Sequence, residues 1–104
     1  MSIKVSSMEK CIKKCRECIN NSLSSKSLGE SMIKCIKACI ECETCCCCCV
    51  KLCSMKASIY KDMRKVCIKA CKKCYAICSK HKNKHCQECA KACLECIKEC
   101  QKLL

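Results

Sequence analysis

The chain has 104 residues and a formal net charge of +13 at pH 7; 21 residues are cysteine, one is glycine, and proline, phenylalanine and tryptophan are absent. A chain of this length holds one domain, residues 1–104, and with so few large apolar side chains something other than a greasy core must fill its middle. The odd cysteine count, the near absence of Gly and Pro, and an opening (MSIKVSSMEKCIKKC) without the apolar run of a secretory signal argue against a disulfide-stapled secreted mini-domain and for a reducing, cytoplasmic setting.

The first helix is predicted over about 4–21, with Cys11, Cys15 and Cys18 on one face and Ile12 and Ile19 beside them. The polar segment NNSLSSKS reads as a loop. Ser27-Leu28-Gly29-Glu30 has the spacing of a capping box, which starts a second helix just after Ser27, over about 28–54. Its stripe is Cys35, Cys39, Cys42, Cys46, Cys49 and Cys53. This helix also contains ETCCCCCV, five consecutive thiols that pose the question of a local metal claw. At about 100° per residue, Cys46 and Cys49 lie on the stripe, Cys45 flanks it, and Cys47 and Cys48 point elsewhere. The run is therefore part of a longer pattern.

A turn is expected at 55–58, although no Gly or Pro marks it, because one long helix could not bury its stripe within a single chain. The third helix, about 58–80, carries Cys67, Cys71, Cys74 and Cys78; Lys80 and His81 suit its negative C-terminal end. Asn83 is a plausible N-cap for the fourth, about 83–103, with Cys86, Cys89, Cys93, Cys96 and Cys100. Spacings of four and three alternate within all four segments, the period of a helix face in bundle phase. The predicted fold is all-α, an antiparallel four-helix bundle with a thiol-lined core. Ile33, Ile36, Ile40 and Cys47 form a second apolar face on the second helix, either an oligomer contact or a broad helix–helix seam.

So many inward cysteines exceed what packing requires, since Leu or Ala would fill the space without the risk of oxidation. Thiolates select Cu(I), zinc or iron–sulfur clusters. Structural zinc is usually held by converging loops and knuckles, whereas the CxxC pairs here sit inside unbroken helices. Cu(I) accepts two or three sulfurs, so a continuous tube of thiols suits multiple Cu(I) ions in succession. His81 and His85 are expected at one end with Met32, Cys18, Cys35 and Cys78, a plausible port; Met8, Tyr60, Met63 and Leu103 close the other. The acids fall on outward positions and there is no Ser/His/Asp order, so no enzyme is expected. Lysines scattered among glutamates without an aromatic platform indicate no nucleic-acid partner. No run approaches the ~18 apolar residues of a membrane span. Two alternatives remain: a metallothionein-like zinc or cadmium buffer, and a structural or redox protein whose thiols form disulfides.

The repeated units CIKKCREC, CIKACIEC, CIKACKKC and CAKACLEC, and above all the stretch from His81 to Cys96, of the form HxxxHCxxCAxACxxC, resemble the bacterial copper storage proteins of the cytosolic branch. The resemblance runs from Cys11 to Cys100. It implies a four-helix bundle that holds many Cu(I) ions through Cys thiolates, assembles into tetramers, stores copper and protects against copper toxicity. It implies that the stripe cysteines are the Cu(I) ligands and that His81 and His85 lie where copper enters or extra ions bind. The Cys45–Cys49 run departs from the family pattern. Cys45 joins the candidate ligands from its border position, while Cys47 and Cys48 stay outside that set.

Overall fold

A computed structural model describes residues 5–25 and 28–102. It contains four helices, α1 (Ser6–Leu23), α2 (Glu30–Ser54), α3 (Tyr60–Cys78) and α4 (Lys84–Lys102). Short connections make successive helices antiparallel neighbours, and α4 returns to pack on α1, so α1–α2, α2–α3, α3–α4 and α1–α4 contacts close a ring. The result is an elongated four-helix bundle of 46 × 19 × 18 Å.

Each helix buries its cysteine stripe. Every stripe cysteine except Cys53 is inaccessible to solvent, and Met8, Tyr60, Ile68 and Ile97 complete the core. Ile12 and Ile19 lie half-buried along its seams. A spacing that averages 3.5 residues keeps each stripe facing the bundle axis as the helices wind round one another.

The helix ends show how the chain turns. Ser27 lies outside the described residues, and α2 begins at Glu30, after an extended Gly29 whose carbonyl accepts from the Ile33 N–H at 3.1 Å. The α2–α3 turn follows a Schellman pattern: Lys56 N–H donates to the Cys53 carbonyl at 3.1 Å and Ala57 N–H to the Leu52 carbonyl at 3.0 Å. Lys56 takes the left-handed position this motif requires, with φ 55°. A backbone motif thus ends the helix where glycine would ordinarily do so, which is why composition alone leaves the break faint. At the α3–α4 turn the Gln87 side-chain amide donates to the Ser79 and His81 carbonyls. The Asn83 carbonyl accepts from the Gln87 N–H at 3.0 Å, as an N-cap residue's should.

Apart from the buried Arg64, charged residues sit toward the outside, and several join neighbouring helices: Lys10 to Glu95 at 3.2 Å, Lys14 to Glu88 at 3.3 Å, Arg16 to Glu43 at 3.2 Å and Lys73 to Glu41 at 3.3 Å. Such solvated pairs contribute about 0.2–1 kcal/mol each, enough to favour a register without driving folding. On α2, Ile36 is buried while Ile33 and Ile40 are exposed, so the second apolar face divides between an intrachain seam and an open surface.

Candidate metal centre

Where α1 and α3 end and α2 and α4 begin, the Cys18 sulfur lies 3.9 Å from that of Cys86, and the Cys35 sulfur 3.4 Å from Cys78. His85 turns Nδ1 toward this group, 3.4 Å from the Cys18 sulfur and 3.5 Å from that of Cys86. One turn inward, Cys39 stands 3.7 Å from Cys78 and 3.9 Å from both Cys74 and Cys89, while Cys15 meets Cys89 at 3.7 Å. At mid-height Cys42 lies 3.7 Å from Cys11, 3.7 Å from Cys71 and 3.9 Å from Cys93. Farther on, Cys46 lies 3.5 Å from Cys67, and Cys96 is 4.0 Å from Cys100. A disulfide would bring two sulfurs to about 2.05 Å; these are free thiols in contact.

The sulfurs form overlapping sets. Cys18 with Cys35 and Cys86; Cys18 with Cys39, Cys78 and Cys89; Cys15 with Cys74, Cys89 and Cys93; Cys11 with Cys15, Cys42 and Cys93; and Cys11 with Cys46, Cys71 and Cys96 each lie within 4.8 Å of one another. Cys11, Cys15, Cys18, Cys89 and Cys93 each belong to two sets. The set containing Cys11, Cys46, Cys71 and Cys96 draws one sulfur from every helix, so the stripes meet on the axis. A row of sulfurs shared between neighbouring sets can hold a succession of soft ions bridged by common thiolates, the arrangement least like separate closed tetrahedra.

Burial sets the protonation of this row. It pushes the Cys86 thiol up to about 11, with the nearby Cys35 sulfur adding to the effect. Deeper in, hydrogen bonds from Cys11 and other neighbours hold Cys15, Cys46, Cys71 and Cys93 above the ordinary thiol value. Neighbouring S–H donors draw Cys11, Cys67, Cys74 and Cys89 below it. One thiolate in the row is stabilised by the S–H groups around it and raises the cost of ionising the next. Filling the row with cations removes that mutual penalty.

The remaining candidates separate clearly. Cys53 and Cys45 are half-buried, and burial raises the Cys45 thiol. Cys47 points to the α1–α2 groove, donating to Glu43 Oε1 at 3.4 Å with Arg16 Nη2 3.8 Å from its sulfur. Cys48 is exposed. The two histidines diverge: His85 joins the sulfurs, whereas His81 Nε2 lies 3.5 Å from the Ser31 hydroxyl, because the Gln87 clamp on its carbonyl fixes the turn beside α2. Beside His85 a surface cavity of about 290 Å³ is lined by Glu17, Asn21, Lys84 and Glu88, so solvent reaches the histidine while the sulfurs behind it stay buried.

The other end is closed by buried Met8 and Tyr60 with half-buried Met63; Leu103, expected there, lies outside the described residues. Sequence reasoning passed over Arg64, a guanidinium only 5% exposed that stacks on the Tyr60 ring, 4.3 Å from its centroid. The signal was present: Tyr60 and Arg64 extend the four-three spacing of Cys67, Cys71, Cys74 and Cys78 backward by two positions. The Cys49 thiol is held high by hydrogen bonding with Cys67 and by burial, and Arg64 works against both. Burial pushes the Tyr60 phenol up to about 12, with Arg64 opposing and Cys53 reinforcing the shift.

Known proteins share this fold. Residues 2–104 match the model of the family described as copper storage protein. The uncharacterized cysteine-rich protein YhjQ of Bacillus subtilis strain 168 is 34% identical over 89 residues, 80% of this chain and 82% of its own. The Cu(I)-bound copper storage protein BsCsp3 is similar with a TM-score of 0.89 at 30% identity, over 94% of this chain and 92% of its own. Apo Csp3 from Bacillus subtilis gives a TM-score of 0.88 at 29% identity, over 95% and 93% of the two chains. A cytosolic copper storage protein from Streptomyces lividans, with five coppers, gives 0.89 at 25% identity, over 96% and 88%. With its thiol ladder and its match along nearly the whole length, this chain belongs to the copper storage protein family.

Proposed function

We propose that this protein stores Cu(I) in bulk in the cytosol, holding many ions along the bundle axis and so limiting copper toxicity, without catalysing a reaction. The observation that carries this reading is the continuous row of buried sulfurs with members shared between adjacent sets. The stripe cysteines are the proposed ligands, from Cys18, Cys35 and Cys86 at one end to Cys49, Cys53, Cys67 and Cys100 at the other. Cys45 is a border ligand, His85 is the nitrogen donor at the open end, and His81 lies on the approach to it. A reducing compartment keeps such thiols free, and the similar Streptomyces lividans protein is described as cytosolic.

Uptake is coupled to proton release, because each protonated thiol must lose its proton to ligate. The decisive experiment is an anaerobic titration of the reduced protein with Cu(I) against a competing chromophoric chelator. The expected result is tight uptake of many equivalents, approaching one per stripe thiol. Saturation after a few ions would overturn the reading.

The four-sulfur sets also offer what a structural zinc needs, so the same titration is run with zinc as competitor. Zinc held more tightly than Cu(I) would favour the buffer reading.

Self-association into tetramers is part of the proposal, supported by the family resemblance and by exposed Ile33 and Ile40 on α2. Sedimentation should give about four times the 11.7 kDa chain mass; a monomer at micromolar concentration would refute it.

A further inference from the structure

The Cys45–Cys49 run holds a thiol, Cys48, that storage as described so far does not use. Cys42, Cys45 and Cys48 stand three residues apart, so each step turns about 60° round α2 and rises about 4.5 Å. Burial follows the steps: Cys42 is inaccessible to solvent, Cys45 is half-buried and Cys48 is exposed. The three thiols are a stair that leaves the bundle axis at mid-height and reaches the surface beside the α2–α3 seam. Cys45 lies within electrostatic reach of Cys67 and Cys42 on its inner side and of Cys48 on its outer side. One turn back along α2, the Glu41–Lys73 ion pair spans the same seam. Packing does not call for a thiol there. At corresponding positions, three residues past a stripe cysteine, stand Ala38, Ala70 and Ala92, all buried, or Lys14, Ile77 and Glu99, and none of the others is cysteine.

Side chains three apart on a helix are neighbours, with Cβ atoms about 5–6 Å from one another, so the two sulfurs of each step can share one soft ion. We infer that Cys48 and Cys45 form a lateral Cu(I) site, a side entrance that takes Cu(I) from a low-mass thiol carrier and passes it through the α2–α3 seam to Cys42. The inference deepens the storage reading and rests on it. Each transfer is a ligand exchange that leaves copper as Cu(I). Cys48 loses its proton and forms a Cu–S bond, and one carrier thiolate leaves with that proton; Cys45 displaces the second carrier thiolate in the same way. Cys42 then replaces Cys48, whose sulfur takes up the proton that Cys42 gives off. From Cys42 the sulfurs of Cys11, Cys71 and Cys93 are the next neighbours, so an ion entering here reaches the middle of the row without passing filled sites at the His85 end. With two thiols and solvent beside it, the lateral site is weaker than the ladder and empties into it.

The test compares wild type, Cys48→Ser, Cys45→Ala and Cys47→Ser as reduced full-length proteins, each first checked for apo helicity by circular dichroism. Alanine is the residue other seams carry at the Cys45 position, so that variant keeps the packing. Cu(I) is supplied under argon as its glutathione complex, below one equivalent, and uptake is followed by the ultraviolet absorption of the Cu–thiolate bond in stopped flow. Cys48→Ser and Cys45→Ala should load severalfold more slowly, up to about tenfold, while Cys47→Ser, whose thiol points to the α1–α2 groove, should load as wild type does. Iodoacetamide labelling of Cys48 gives a second readout. In wild type Cys48 should be labelled when apo and at low loading, where copper has moved inward, and protected once the ladder is full. In Cys45→Ala it should stay labelled throughout.

Cys48→Ser loading at the wild-type rate would overturn the inference. So would protection of Cys48 that survives Cys45→Ala, which would make it an isolated surface thiol, and so would an apo protein whose Cys48 resists labelling, because a covered thiol cannot receive an ion. Failure of the storage reading is separately visible, since wild type itself would then saturate after a few ions.

Discussion

At the residue scale, helical phase decides what a cysteine is for. Cys42 touches sulfurs from the other three helices, whereas Cys48 faces solvent. Cys42→Ser should keep the fold and lower capacity by about one or two ions; Cys48→Ser should leave capacity unchanged. Chelator-competition titration of both variants checks this, and equal losses would contradict the ladder. Protonation gives a second expectation. Cys86 is raised to about 11 from an ordinary 9.0, so the folded chain holds this proton more tightly than the unfolded chain does. Its contribution to stability is full below pH 9 and is lost as pH rises toward 11. Thermal unfolding of the reduced apo protein at pH 7, 9 and 10.5 should show a falling midpoint, and a rising one would mean that the thiols are stabilised as thiolates.

At the element scale, the α2–α3 turn is the place where local preference and tertiary need disagree. Lys56 adopts φ 55° because the Schellman bonds from Lys56 and Ala57 require it. A side chain in the left-handed region is a standing cost. Lys56→Gly should therefore stabilise the protein by about 0.5–1 kcal/mol, a rise of about 4–8 °C in Tm at the upper figure. Calorimetry of the apo protein tests it; a lower Tm would show that unfolded-chain entropy outweighs the relief of strain. The helix connections explain the divergence of the histidines as well. His85 lies inside α4 one residue before a stripe position, so the helix delivers its ring to the sulfurs, while His81 belongs to the turn and follows the Gln87 clamp.

At the scale of the whole molecule, a core made of small thiols is a weak hydrophobic core, and copper compensates for it. Metal that binds only the folded tube stabilises it by mass action, about 2.7 kcal/mol for one site at a hundredfold excess over Kd. Copper loading should raise Tm substantially under reducing conditions while helicity stays near its apo level. A chain with little helix before metal addition would instead behave as a metallothionein.

The four-three spacing of the cysteines was enough to assign four helices, to turn one face of each inward and to separate Cys46 and Cys49 from Cys47 and Cys48, because helical phase is a local property of the chain. It would also have placed Tyr60 and Arg64 inside, had the stripe been followed past its last sulfur. What it could not supply is anything that depends on which helices are neighbours and at what height. The shared membership of Cys11, Cys15, Cys18, Cys89 and Cys93 in adjacent sulfur sets and the approach of His85 to Cys18 from α4 are relations between residues as many as 82 positions apart. Only the packing of four helices around one axis brings those groups into contact, and that packing turns a periodic sequence into a continuous row of sulfurs.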